Sequence, residues 1–206
     1  MDSSSQTTDA AVVLAPVWKD VLGASHRALT AAVAGVTGDA WHAPTPCSEW
    51  NVTQVIQHAA GDQLAYAAAL GVGTGPAEDP FAPSGSLTGS AADLVSGAIS
   101  ETAAAWATVT DDSGTVPTPL PHGVLPAPVA AVLCALDAGV HAWDITVATG
   151  QPSPLTDELA AAYLTAATGL IEPLRRWGAY GAVVDPAPGD STADTLLRYL
   201  GRDPRA

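Results

Sequence analysis

The chain has 206 residues, 48% of them hydrophobic and 14% charged, with a formal net charge of −14. That composition excludes an unfolded chain, which combines low hydrophobicity with high charge, and the length suits one domain with a single core. The acidic balance also excludes a nucleic-acid surface, because such a surface needs Lys and Arg to neutralise phosphates.

The basic residues are Lys19, Arg27, Arg175, Arg176, Arg198, Arg202 and Arg205, so none lies between Arg27 and Arg175. An anionic substrate held by the middle of the chain therefore requires a metal ion, backbone N–H groups or one of the flanking arginines. Met1 to Asp9 is polar and lacks the basic and apolar blocks of a secretory signal. The uncharged run after Asp112 is broken by Pro117, Pro119, Pro121, Pro126 and Pro128, which argues against a membrane span. The expectation is a cytoplasmic protein without membrane or nucleic-acid partners, a monomer or homodimer, in which Cys47 and Cys134 are free thiols.

In chain order, residues 1–9 read as a disordered tail. From Ala10 to Val36 the residues Val13, Val17, Val21, Leu22, Leu29 and Val33 recur at helical spacing and predict a first long helix. Residues 39–50 form a loop punctuated by Pro44 and Pro46. Asn51 is an N-cap candidate for a second helix that runs to about Leu70. On it Val52, Val55, Ile56 and Ala59 mark an apolar side, with His58 close by. A single histidine in that position is ordinarily a core or boundary residue. Asp62, one turn further on, reads as a fourth ligand, an orienting carboxylate or a solvated acid.

Residues 71–88 are rich in Gly, Pro and Ser and predict a long connection. A third helix is expected from Ser90 to Val109, and a second Pro-rich connection over 110–126 carries His122, placed either over a pocket mouth or in solvent. The fourth helix, about Ala127 to Thr149, has the apolar stripe Val129, Val132, Leu133, Leu136, Val140, Trp143 and Val147. Asp137, His141 and Asp144 fall at i, i+4 and i+7 on the adjoining stripe and so stand one above another. A fifth helix is expected from Thr156 to Trp177, interrupted at Pro173. A short extended excursion over 178–190 and a last helix, Thr192 to Leu200, complete a mainly all-α chain. The bundle is assigned to 10–150, with the helices of 151–206 packed on the same domain.

A carboxylate and an imidazole on one helix face, met by a second imidazole from another helix, are the three-ligand set of a catalytic metal site with an open position. His58, Asp137 and His141 supply those groups, and two imidazoles with one carboxylate suit zinc. Asp144, Asp62 and His122 are then the candidates for orientation and proton transfer.

The stretch Thr45-Pro46-Cys47-Ser48-Glu49-Trp50-Asn51-Val52, followed by Val55-Ile56-Gln57-His58, resembles the entrance to the second helix in the mycothiol-dependent maleylpyruvate isomerase family, a branch of the DinB-like metal-binding bundles. Val140-His141-Ala142-Trp143-Asp144, Ala148-Thr149-Gly150 and the ending Leu196-Leu197-Arg198-Tyr199-Leu200-Gly201-Arg202-Asp203-Pro204 are similar as well. The resemblance implies a DinB-like four-helix bundle with a small C-terminal extension, metal ligands at His58, Asp137 and His141, and mycothiol as thiol cofactor. Position 137 departs from the family pattern, which has Glu there, and the scarcity of basic residues departs from what dianionic maleylpyruvate requires.

Three functions remain open at this level. The first is a divalent-metal-dependent thiol transferase or isomerase acting on a small molecule. The second is a metal-free small-molecule-binding bundle, such as a cyclase or isomerase of secondary metabolism. The third is a binding or stress-response module without chemistry.

Overall fold

The long apolar helix that carries Asp137 and His141 is the centre of the molecule. The structure, a computed structural model, describes residues 3–205. Its helices are α1 (Ser3–Leu14), α2 (Trp18–Ala34), α3 (Val52–Ala69), α4 (Ala91–Trp106), α5 (Ala127–Ala148), α6 (Asp157–Ala167), α7 (Ile171–Arg176) and α8 (Thr192–Tyr199). Helix α2 packs along α5, α3 packs on both α4 and α5, and α4 closes the bundle against α2. The expected mainly helical bundle is therefore present, with α1 and α6 added to the outside of α5 and α8 docked on α6.

Helix α5 is buried without interruption from Ala127 to Thr146 except at Pro128. By length and composition it is apolar enough to cross a membrane, yet its apolar window is wholly enclosed by the other elements, as the core helix of a bundle is. Ala138, Ala142 and Ile145 face α2, α3 and α4 in one apolar cluster. Leu136, Val140 and Trp143 belong to a second cluster with α1, α6 and α8. Asp137, His141 and Asp144 lie on the strip of helix surface between the two, at the seam where the bundle and its outer helices meet.

Several expectations are corrected. The segment read as a tail over 1–9 is helical from Ser3 onward, as part of α1. The first long helix is two helices, because Pro16 has no N–H to donate and its ring obstructs the preceding turn, so the chain turns over Ala15-Pro16-Val17. The connection over 110–126 contains a small hairpin that pairs β1 (Thr115–Pro117) with β2 (Val124–Pro126).

The fifth helix breaks not at Pro173 but at Gly169, whose φ of +83° only glycine adopts freely. That break leaves Pro173 in the first turn of α7, where its missing N–H has no intrahelical partner to lose. The excursion over 178–190 is irregular and forms no strand.

Candidate metal centre

Asn51 caps α3 as expected, and its capping box is complete: its side chain accepts from the Gln54 N–H while the Gln54 side chain accepts from the Asn51 N–H. The loop before it is pinned by the Thr45 hydroxyl, which donates to the carbonyl of Trp50 at 2.8 Å. Together these aim the second turn of α3, with His58, at the polar strip of α5.

Beyond α3, the connection doubles back over the same helix. Gln54 donates to the Pro83 carbonyl, Gln57 donates to the Ser86 carbonyl and accepts from the Gly85 N–H, and Pro80 lies against Gly61, where a β-carbon would crowd it. The carbonyl of Pro80 thereby comes within 2.9 Å of His58 Nδ1. A carbonyl only accepts, so Nδ1 carries the proton and the lone pair of the neutral ring sits on Nε2.

The same arrangement holds on α5. His141 Nδ1 lies 2.9 Å from Asp144 Oδ2, so its Nε2 is likewise turned inward. His58 Nε2 is 3.5 Å and His141 Nε2 is 3.4 Å from the same oxygen, Asp137 Oδ1. All three ligand atoms lie within 4.8 Å of one another, and Asp137 Oδ2 is buried without a hydrogen-bond partner.

With both rings neutral, the convergent atoms are all acceptors and no donor stands among them, so the cluster needs either protons or a cation. The two N···O distances match the edge of a tetrahedron built on bonds of about 2.05 Å, roughly 3.3–3.4 Å. Asp137, though one methylene shorter than Glu, therefore reaches both imidazoles from α5.

Electrostatics follow from this packing. Burial pushes the His141 imidazole down, but the carboxylates of Asp137 and Asp144 outweigh it and raise it to about 10. Burial raises the Asp137 carboxyl, and the adjoining His141 and His58 more than reverse this and hold it well below the usual carboxylate range. Asp62 is pushed up to about 7, by burial first and the Asp137 charge second.

Asp144 is not free. Arg202 donates to it twice, from Nε to Oδ1 at 2.8 Å and from Nη2 to Oδ2 at 2.7 Å. Burial raises the Asp144 carboxyl, yet Arg202 and His141 bring it down to about 2. Arg202 is placed by the end of α8, where its N–H reaches the Leu197 carbonyl and the Gly201 N–H reaches that of Arg198. This pair of bonds is a Schellman motif, with Gly201 at φ +84°.

Of the residues singled out in the sequence, the structure brings together His58, Asp137, His141, Asp144 and Asp62. His122 is not among them. It sits on the hairpin at the N-terminal end of α5, facing the backbone of Leu170, and ten helical residues, about 15 Å, separate that end from Asp137. Cys134 is turned to Gln63, to which its thiol donates at 3.3 Å.

Sequence reasoning missed Arg202 as a neighbour of the site, and also the rings of Trp50 and Phe81, whose centroids lie 4.6 and 5.4 Å from that of His58. The Leu200-Gly201-Arg202 turn at the end of an amphipathic helix marks a helix stop, but not what Arg202 reaches. Trp50 lies in the stretch singled out before the N-cap Asn51, though nothing there assigns it to the site, and no local signal marks Phe81.

Fold and site together define a helical bundle with a two-histidine, one-carboxylate cluster between its helices. The family described as "Mycothiol maleylpyruvate isomerase N-terminal domain" matches residues 22–146, and the chain belongs to that family. Two Mycobacterium tuberculosis proteins, "Uncharacterized protein Rv0738" and "Uncharacterized protein MT0763", are each 36% identical over 186 residues, covering 88% of this chain and 95% of the relative. The crystal structure of a mutant of the mycothiol-dependent maleylpyruvate isomerase superposes with a TM-score of 0.54 at 15% identity, over 96% of this chain and 88% of that one. At that identity the likeness establishes a shared fold.

Proposed function

We propose that the chain is a divalent-metal-dependent enzyme of the thiol-transferase or isomerase class, acting on a small molecule with a mycothiol-type thiol. One observation carries the reading: His58 Nε2, His141 Nε2 and Asp137 Oδ1 converge as acceptors, with each Nδ1 already committed to a separate partner. The donor set suits zinc. When bound, such an ion supplies Lewis acidity and draws the pKa of a thiol or water toward neutrality.

The protein's own groups have distinct tasks. His58 and His141 would hold the ion through Nε2 and Asp137 through its carboxylate. Asp144 keeps His141 in the Nδ1–H form and fixes its ring, while Arg202 fixes Asp144. Asp62, whose carboxyl is pushed up by burial and the Asp137 charge, lies beside Asp137 and is the acid/base candidate. The proposed setting is the cytoplasm, where the free thiols Cys47 and Cys134 stay reduced.

Elemental analysis of the purified protein tests the reading. One equivalent of divalent metal is expected in the wild type, and His58→Ala and His141→Ala should each reduce it well below one. A wild type that takes up no zinc, nickel, manganese or iron at stoichiometric level sinks the proposal. Activity that survives complete chelation points instead to the metal-free bundle.

A further inference from the structure

The site just described offers little positive charge beyond that of an ion, and this limits what can join a thiol there. Among the described residues, Arg202 is the arginine bonded to a carboxylate of the site. Its Nε and Nη2 are both taken by Asp144, and Nη1 turns to the Leu200 carbonyl at 3.4 Å. Arg175, whose charge reaches the neighbouring Tyr180, is held by Glu172 and by the carbonyls of Gly181 and Tyr199. Against these cations stand the carboxyl groups of Asp62, Asp137 and Asp144.

With both imidazoles neutral, a divalent ion together with Arg202, Asp137 and Asp144 leaves a single positive charge. One thiolate cancels it. A second substrate with carboxylates of its own would then stand uncompensated beside Asp62, in surroundings too dry to screen it.

The groups nearest the ligands are aromatic. Trp50 leans over the His58 ring at an interplanar angle of 39°, and Phe81 meets it edge-on at 62°. His58 itself is 5% exposed, whereas Phe81 is 61% exposed, so Phe81 stands at the surface and the His58 ring lies beneath it. The backbone leading into Phe81 is held at two points. Asp79 accepts from its N–H at 2.9 Å, and the Pro80 carbonyl just before it holds His58. An exposed ring anchored in this way is a stacking surface for a flat apolar molecule.

Resting on the metal–thiol reading above, we infer that the second substrate is an uncharged, flat, apolar molecule that stacks against Trp50 and Phe81, and not a dicarboxylate of the maleylpyruvate type.

Calorimetric titration with two thiols that differ only in what they carry tests this: benzyl mercaptan, aromatic and neutral, against mercaptosuccinate, a dicarboxylate. Metal content is measured first on the same sample. In the loaded protein benzyl mercaptan should bind at least tenfold more tightly, and Phe81→Ala should cut that preference to under threefold without changing metal content. Mercaptosuccinate binding as tightly as benzyl mercaptan overturns the inference, as does a preference untouched by Phe81→Ala. A sample that takes up no metal sinks the metal reading instead. The substrate class is then judged with benzyl alcohol against succinate, where absence of an aromatic preference overturns it as well.

Discussion

At the scale of single residues, the centre turns on the proton of His141. In the metal-free protein this imidazole, lifted to about 10, stays protonated at neutral pH between Asp137 and Asp144. Its folded value lies above the ordinary 6.5, so the stabilisation it gives the metal-free fold is complete below 6.5 and is lost as pH rises through about 10. A zinc ion bound through His141 would have to displace that proton. Affinity should therefore climb about tenfold per pH unit between pH 6 and 8, with release of one proton that calorimetry in buffers of different ionisation heat detects. A flat affinity over this range would mean that His141 does not ligate. Asp137→Asn keeps the side chain's size but removes the charge that His58 and His141 share. It should lower zinc affinity by at least tenfold and return the His141 imidazole toward neutrality, a shift visible in the imidazole proton resonances.

At the scale of elements, what was legible in the sequence is what repeats within one helix. The i, i+4 pair of Asp137 and His141 follows from helix periodicity, and the capped start of α3 sets His58 in register, so the three central residues could be named from the chain. Arg202 could not be linked to the site, because it meets Asp144 across 58 residues of sequence and no periodicity spans that interval. The same holds for Phe81, which is brought to His58 by Gln54 and Gln57 reaching across to a loop. Breaks were misplaced for a related reason. Pro173 is conspicuous in sequence, but a proline is tolerated in a first turn, and the left-handed Gly169 ends α6 before it.

The end of α8 supplies a test on this scale. Gly201 has φ +84°, and a β-carbon there would overlap the backbone of Gly181. Gly201→Ala should destabilise the fold by about 1–3 kcal/mol in urea denaturation. It should also weaken zinc binding, since the strained turn no longer holds Arg202 on Asp144. Unchanged stability would show that this turn relaxes freely.

At the scale of the whole molecule, Arg202 and Asp144 join the C-terminal segment to the central helix through a buried ion pair. Removing one partner leaves the other charged and enclosed, so Arg202→Met should cost about 3–5 kcal/mol. Changing Asp144→Leu at the same time should recover part of that loss, because the carboxylate that Arg202 balanced is gone, although His141 Nδ1 then loses its acceptor. Denaturation of the two single variants and the double variant completes the cycle. A double variant no more stable than Arg202→Met alone would show that the pair's value lies in packing rather than charge.

That ion pair also has a bearing on the order in which the cluster is put together during synthesis. His58, Asp137, His141 and Asp144 are all made before Arg202, and domains form from the N-terminal side as the chain emerges. Until α8 has docked and its closing turn has delivered the guanidinium, Asp144 lacks the partner that holds it in place, and His141 lacks a fixed outer acceptor. A nascent bundle is thus left with a loose cluster of acids and imidazoles. The fixed arrangement of Asp144 and His141 is therefore reached only once α8 has docked on the bundle.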